Sequence, residues 1–281
     1  VSLQDEIIHW YSNNARDLPW RNEATTPWGV LVSEVMSHQT QVERVAPIWV
    51  DWMQRWPTPE AFAAASTADV LRAWGSLGYP RRALRLKECA QVLVDDYGGL
   101  VPRDVDKLLA LPGIGEYTAR AVAAFAYGQN VAVVDTNVRR VHARVVLGEE
   151  NQKPRKSEIA DLAELLPAEQ GPVFSEGLIE LGALVCKTKP LCQVCPVSSC
   201  LWRERGCPKA FVKAPSQKFA GTDRQVRGKI MRVLRQAPDP VPQSDIDVVW
   251  PDDAQRSRAL YSLLEDGLAV QNERGYFHLP H

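Results

Sequence analysis

Four thiols stand within fifteen residues as Cys186-x5-Cys192-x2-Cys195-x4-Cys200. Thiols gathered this closely suit one metal centre, either a tetrahedral zinc ion or an iron–sulfur cluster. Zinc sites favour two short Cys-x2-4-Cys knuckles, and here only Cys192 and Cys195 form one. The wider first and last gaps fit a cluster wrapped by a single loop and leave zinc as the alternative. Cys207 competes as fourth ligand, but choosing it over Cys200 leaves eleven residues to be closed in a small loop. About seventy residues upstream, Leu111-Pro112-Gly113-Ile114-Gly115 separates two apolar-periodic stretches, Leu108-Leu109-Ala110 and Tyr117 to Val122. Its glycines can present backbone N–H groups to a phosphate, as a helix-hairpin-helix does, holding a nucleic-acid backbone without reading a base. A metal-bearing loop and a phosphate-gripping turn together point to a nucleic-acid protein.

The elements around these motifs read as helices. Apolar residues recur at three- and four-residue intervals over 3–13, 28–37, 42–54, 67–74, 81–95, 105–110 and 117–127, then over 156–166 and 173–183, and no alternating run demands a central sheet. Pro59 opens a further helix, and Ser66 or Thr67 can cap the next. With 281 residues, 45% of them apolar, the chain can bury a substantial core and accommodates two domains. The formal net charge of -1 gives no long-range attraction to nucleic acid, so any positive surface must be local. No segment approaches the roughly eighteen apolar residues of a membrane span, and the N-terminus lacks a secretory pattern. Clustered rather than scattered cysteines point to a reducing, cytoplasmic compartment, and Cys89, among Leu86, Ala90 and Val92, reads as a small buried hydrophobe. Gly206-Cys207-Pro208 opens a polar stretch, and 211–221 reads as a linker. Beyond it, helical patterns at 223–235, 243–249 and 253–266 precede a short hairpin turning near Asn272 to Gly275, the order of a small winged-helix-like domain over 222–281. Seven Lys or Arg against the single Asp223 give Lys209 to Arg232 a net +6, suited to a polyanion or to an ordinary solvated linker.

Seven motifs now stand in order: Leu18-Pro19-Trp20-Arg21, Ser33-Glu34-Val35-Met36, Gln39-Thr40-Gln41-Val42, Leu77-Gly78-Tyr79, the 111–115 turn with Tyr117, Val134-Asp135 with Asn137-Val138, and the cysteine loop. Over about residues 5–205 the chain resembles the MutY-type adenine DNA glycosylases of the endonuclease III-like helix-hairpin-helix superfamily. The resemblance implies a mainly α catalytic region over 1–210. Within it, a six-helix barrel module covers about 22–125, and the N-terminal helix with 126–210 forms a second module carrying a [4Fe-4S] cluster on Cys186, Cys192, Cys195 and Cys200, with DNA held between the two. It further implies a monomeric bacterial enzyme of base excision repair, acting at the nucleoid on double-stranded DNA. The family hydrolyses the N-glycosidic bond of adenine mispaired with 8-oxoguanine or guanine, with no metal at the reaction centre.

Within that resemblance each residue has a physical role. Glu34 sits in an apolar helix, where burial should raise its pKa and keep a proton ready for the departing base. Asp135, which also looks like a helix N-cap, supplies a carboxylate for the positive sugar left behind, and Asn137 orients it or a water. Tyr117 occupies the sugar-facing place where bifunctional relatives carry a nucleophilic Lys; lacking an amine, it implies base removal without efficient strand cleavage. Gln39 and Tyr79 are the wedge side chains, entering the disturbed base stack near the orphan base. Leu18, Trp20 and Arg21 form an arm around the adenine. Leu111, Gly113 and Gly115 hold phosphate, and the cysteine loop presents Lys187, Lys189 or Arg203 to it.

The chain departs from the family in four places. His38 stands where an amide is common, either bonding the orphan base or capping a helix end. Pro80 replaces a second tyrosine and stiffens the wedge loop. The first and last cysteine gaps are each one residue shorter than usual. The tail is too short for the Nudix-like domain that helps many relatives recognise 8-oxoguanine; it resembles that of some actinobacterial members. Two other functions remain open: a T:G mismatch glycosylase, which would not need Glu34, and a non-catalytic iron–sulfur DNA-binding protein on the same scaffold.

Overall fold

A computed structural model describes residues 1–209 and 219–281, so most of the expected linker lies outside the described residues. The helices run in order α1 (Leu3–Asn14), α2 (Pro27–Ser37), α3 (Val42–Arg55), α4 (Pro59–Ala63), α5 (Thr67–Trp74), α6 (Arg81–Tyr97), α7 (Val105–Leu109) and α8 (Glu116–Phe125). They continue as α9 (Thr136–His142), α10 (Glu158–Ala163), α11 (Gly171–Leu184), α12 (Leu201–Glu204), α13 (Asp223–Gln236), α14 (Gln243–Asp247) and α15 (Asp253–Glu265), before strands β1 (Val270–Gln271) and β2 (Phe277–His278). The predominantly helical architecture follows from the apolar periodicity, and the starts follow from side-chain chemistry. Ser2, Thr58, Ser66, Asp104, Asp135, Thr222 and Asp252 each accept a hydrogen bond from an N–H of the first turn they precede. Pro59 opens α4 at a position where a missing N–H costs nothing. Two helices lie where periodicity predicted none: α9, which runs into a π-helical turn over Ala143–Leu147, and the one-turn α12. Both are too short to display a full 3.6-residue pattern. Among the described residues no helix is long and apolar enough to cross a membrane.

The chain divides into two compact units. One gathers Val1–Glu34, Pro102–Ala110 and the described residues from Ile114 to 209. Its central helix is α11, which packs on α1, α9 and α8. The approach of α9 depends on Gly182, where an added Cβ would lie 2.6 Å from the Asn137 Cβ. Ile7, Val138, Val141, Phe174, Leu178 and Leu181 form a core that continues through Cys186, Val197, Cys200 and Trp202.

The other unit gathers Val35–Val101, Leu111–Gly113 and the described residues from 219 to His281. Here α4 and α5 pack on α6, and the Trp52 ring meets Trp56, Phe62 and Trp74 at centroid distances of 5.1, 5.0 and 5.6 Å. The last three helices belong to the same unit: α13 packs on both α15 and α5, burying Val226, Ile230 and Leu234, while α15 buries Leu260 and Leu263. The hairpin is antiparallel, with Val270 opposite His278 and Gln271 opposite Phe277, and Val241 makes a further antiparallel bridge to Phe277. Of the charges in the Lys209 to Arg232 stretch, Arg227 is matched by Asp266 at 2.6 Å, while the stretch's own acid, Asp223, pairs with Arg258 outside it.

Candidate active site

Helix α2 buries Trp28, Val30, Leu31, Val32, Val35 and Met36, leaving no polar face to carry a carboxyl into solvent. Glu34 is consequently buried. Burial raises its carboxyl to about 7, against a hydrogen bond from the Tyr117 phenol and the charge of Arg21, and with the charges of Asp135 and Glu176 adding to the rise. Tyr117 lies in the first turn of α8; burial foremost, then the charges of Glu34 and Asp135, hold its phenol well above the usual range. Sequence reasoning placed Glu34, Tyr117 and Asp135 at one point, and here their charges and one hydrogen bond couple them.

Asp135 is the N-cap of α9, with Oδ1 accepting from the Val138 N–H at 2.7 Å and Oδ2 from the Asn137 side-chain amide at 2.8 Å. Burial raises its pKa, and these two donors, which serve the ionised form, oppose the rise. Burial thus raises both carboxyls, Glu34 to about 7, while Asp135 has in addition two hydrogen-bond donors that favour its ionised form. The polar chain continues outward. Arg140 Nη2 donates to Asn137 Oδ1 at 2.8 Å and to the Gly182 carbonyl at 2.7 Å, while its Nε donates to the Cys186 carbonyl at 2.7 Å. The first cysteine is therefore three hydrogen bonds from the carboxylate of Asp135.

Cys186, Cys192, Cys195 and Cys200 line one cavity with Arg144, Val145, Leu181 and Trp202. Burial, then neighbouring thiols including Cys207, push Cys192 up, and burial pushes Cys195 up; bound cations would relieve this. Arg144, 1% exposed, places Nη1 at 3.5 Å from the Cys186 sulfur and stacks on Trp202 at 4.9 Å. Cys207 is exposed, takes a left-handed φ of 57° and is not among the lining residues. Four soft donors beside a buried guanidinium suit an anionic thiolate-bound cluster.

Leu18 is buried, and Trp20 and Arg21 are half-buried. Arg21 Nη2 pairs with Glu180 at 2.8 Å and its Nε lies 3.7 Å from Glu176, while Arg16 also binds the fully buried Glu180. The Arg21 guanidinium is thus fixed by two acids on α11.

In the second unit, Gln39 and Tyr79 are exposed and share an uncommon backbone state, φ 52° and 47°. A side chain in that region is held there by its surroundings. Arg82 does the holding for both loops, donating to the carbonyls of Val35, Met36, His38, Leu77 and Gly78 and to Thr40 Oγ1 at 2.7–3.3 Å. Burial lowers its pKa to about 10, still cationic at neutrality. His38, half-buried, is shifted down by burial and then by Arg82, which favours a neutral ring able to donate and accept. At the hairpin Gly113 has φ 76° and an added Cβ would lie 2.8 Å from the Arg85 Cβ, so this turn requires glycine. Leu111 is buried, and Gly115 is the cap of α8 with open space around it and no capping side chain. Sequence reasoning missed Arg82, Arg140, Arg144 and Glu180. Nothing in their spacing distinguishes them from surface charges; an acid within the apolar run of α11 was the one available signal.

Residues 32–168 match the family model described as HhH-GPD superfamily base excision DNA repair protein. The adenine DNA glycosylase of Mycolicibacterium smegmatis is 54% identical over 277 residues, covering 98% of this chain and 94% of its own length, so the likeness extends into the C-terminal helices. Among solved structures, a thermostable thymine-DNA glycosylase superposes with TM-score 0.66 at 29% identity, over 72% of this chain and 95% of that one. An endonuclease III in a non-covalent DNA complex gives TM-score 0.63 at 26% identity, over 73% and 95%. At that identity over nearly its whole length, the chain belongs to the adenine DNA glycosylases of the HhH-GPD superfamily of base excision DNA repair proteins.

Proposed function

We propose that this protein excises adenine mispaired with 8-oxoguanine or guanine in duplex DNA by acid-assisted hydrolysis of the N-glycosidic bond. The observation that carries the reading is Glu34, buried, hydrogen-bonded to Tyr117 and raised to about 7 beside an Asp135 whose partners favour its ionised form. Protonated Glu34 gives its proton to a ring nitrogen of adenine as the C1′–N9 bond breaks and its electron pair leaves with the base. The sugar becomes cationic, and the Asp135 carboxylate stabilises charge that exists only beyond the ground state. Water then adds at C1′, returning a proton to a carboxylate and leaving an abasic site. Tyr117 has no amine to form a Schiff base, which makes the enzyme monofunctional.

Cys186, Cys192, Cys195 and Cys200 would hold a [4Fe-4S] cluster, with Cys200 favoured over Cys207 by its burial and its place in the cavity lining. The cluster's contribution is to cross-link and order the loop; Lys187, Lys189 or Arg203 of that loop would meet phosphate. For organisation we propose a catalytic region over 1–210 containing the six-helix barrel and iron–sulfur modules, the linker 211–221, and a winged-helix-like domain over 222–281. Three helices, the β1–β2 hairpin and the Val241 bridge support the last. The working form is a monomer at the bacterial chromosome.

Single-turnover assays on A:8-oxoguanine, A:G, T:G and uracil duplexes test the reading. Adenine release from the first two is expected. A thymine activity, the reading that the likeness to a thymine-DNA glycosylase structure favours, would show as T:G release that survives E34Q. No release from any duplex would leave a DNA-binding protein without catalysis.

A further inference from the structure

The loop Gly75 to Tyr79 has little means of fixing itself. Gly75, Gly78 and Tyr79 all have positive φ, at 56°, 82° and 47°, and the Tyr79 side chain is exposed. Its carbonyls are fastened from outside, by Arg82 and by the Trp74 indole to Gly78 at 2.9 Å, but these bonds fix the backbone and leave the ring to be placed by its own neighbours. Two guanidinium groups do that. Arg82 lies 5.8 Å from the ring centroid, and Arg224, from the second residue of α13, lies at 4.2 Å while also approaching the Phe219 ring at 5.5 Å. The closer contact comes from the C-terminal segment.

The same segment holds the residue after the wedge loop's proline. Arg81 Nη1 pairs with Asp266 at 3.3 Å, and Asp266 is itself anchored by Arg227 at 2.6 Å, so α13 and the residue that caps the C-terminus of α15 meet both sides of Tyr79-Pro80. Arg227 and Arg258 have carboxylate partners, whereas Arg224, among the described residues, has two aromatic rings and no carboxylate. A flat guanidinium on a ring face restrains the ring's rotation and keeps its own N–H donors at the edge of the stack, where a purine could meet them.

We infer that Arg224 is a positioning residue for mispair recognition, holding the Tyr79 ring at the angle from which it enters the base stack, so that the C-terminal helices form part of the wedge. The inference rests on Tyr79 being the side chain that enters the duplex. It is separate from any phosphate contact, which a charge alone would supply.

The test is a double-mutant cycle in the full chain. Wild type, R224A, R224K, Y79A and R224A/Y79A are compared for the ratio of affinities between an A:8-oxoguanine duplex and the same duplex with an A:T pair, across a salt series. R224A should reduce the ratio about two- to fivefold, the loss expected of one exposed cation–π contact. R224K should not restore it, because an ammonium cannot stack flat. In the Y79A background R224A should have no further effect on the ratio. The same loss with and without Tyr79, an unchanged ratio in R224A, or full rescue by R224K with only a changed salt slope would each overturn the inference. An unchanged ratio in Y79A would instead remove the wedge reading beneath it.

Discussion

At the scale of single residues, the proposed chemistry depends on keeping one proton on Glu34 and keeping it off Asp135. Replacing Glu34 with Gln preserves shape and removes the proton, so E34Q should fold normally and lose orders of magnitude in single-turnover excision. D135N should lose a comparable amount and also some stability, up to about 1 kcal/mol, because the amide caps as well but no longer places a negative charge at the helix start. Glu34 also makes stability depend on pH. Its folded pKa of about 7 exceeds the ordinary 4.5, so its contribution is complete below 4.5 and is lost as pH rises through 7, in total about 3 kcal/mol. Urea unfolding at several pH values should show this slope in wild type and a flatter one in E34Q; equal slopes would place the titration elsewhere. Both acids were legible in the sequence, Glu34 as a charge inside Val30 to Met36 and Asp135 as an acid between an apolar run and a helix. The hydrogen bond from Tyr117 was not, because it joins residues far apart in the chain.

At the scale of elements, α9 carries the Asp135 cap at one end and leads into the π-helical turn that meets the cysteines at the other. Arg140 connects the two through Asn137 and the Cys186 carbonyl. R140Q removes charge-assisted bonds of roughly 1.5–3 kcal/mol each, so excision should fall at least about tenfold while the pH at which activity declines stays where Glu34 sets it. A shift of that pH with no loss of rate would contradict the linkage. For the cysteines, iron analysis and visible absorption should show C207S retaining cluster content and C200S losing it. Zinc without iron after anaerobic purification would overturn the cluster. The helices on either side were visible as periodic apolar runs, whereas α9 was signalled only by its cap Asp135 and its contact with Gly182 not at all. A seven-residue helix shows too little period, and a glycine's neighbour is set by packing that no local spacing records.

At the scale of the molecule, the tail is no detached appendage within its unit: α13 packs on α5, and its Arg224 reaches the Tyr79 ring. A chain ending at Arg205 should therefore unfold at lower temperature as well as bind DNA more weakly, with excision persisting at a reduced rate; equal affinity and equal melting would contradict this. The order of three helices and a hairpin was readable from the tail's own pattern. Its attachment was not, since Arg224 looks like one more basic residue in a stretch of net +6. The most direct test of the whole account is the pH profile of single-turnover adenine release from an A:8-oxoguanine duplex, at protein concentrations below saturation so that the free enzyme's acid is reported. Wild type should hold its rate at acidic pH and lose about tenfold per unit above pH 7, with E34Q slower by orders of magnitude and flat. A wild-type rate that rises through pH 7, or near-normal excision by E34Q, would contradict Glu34 as the proton donor.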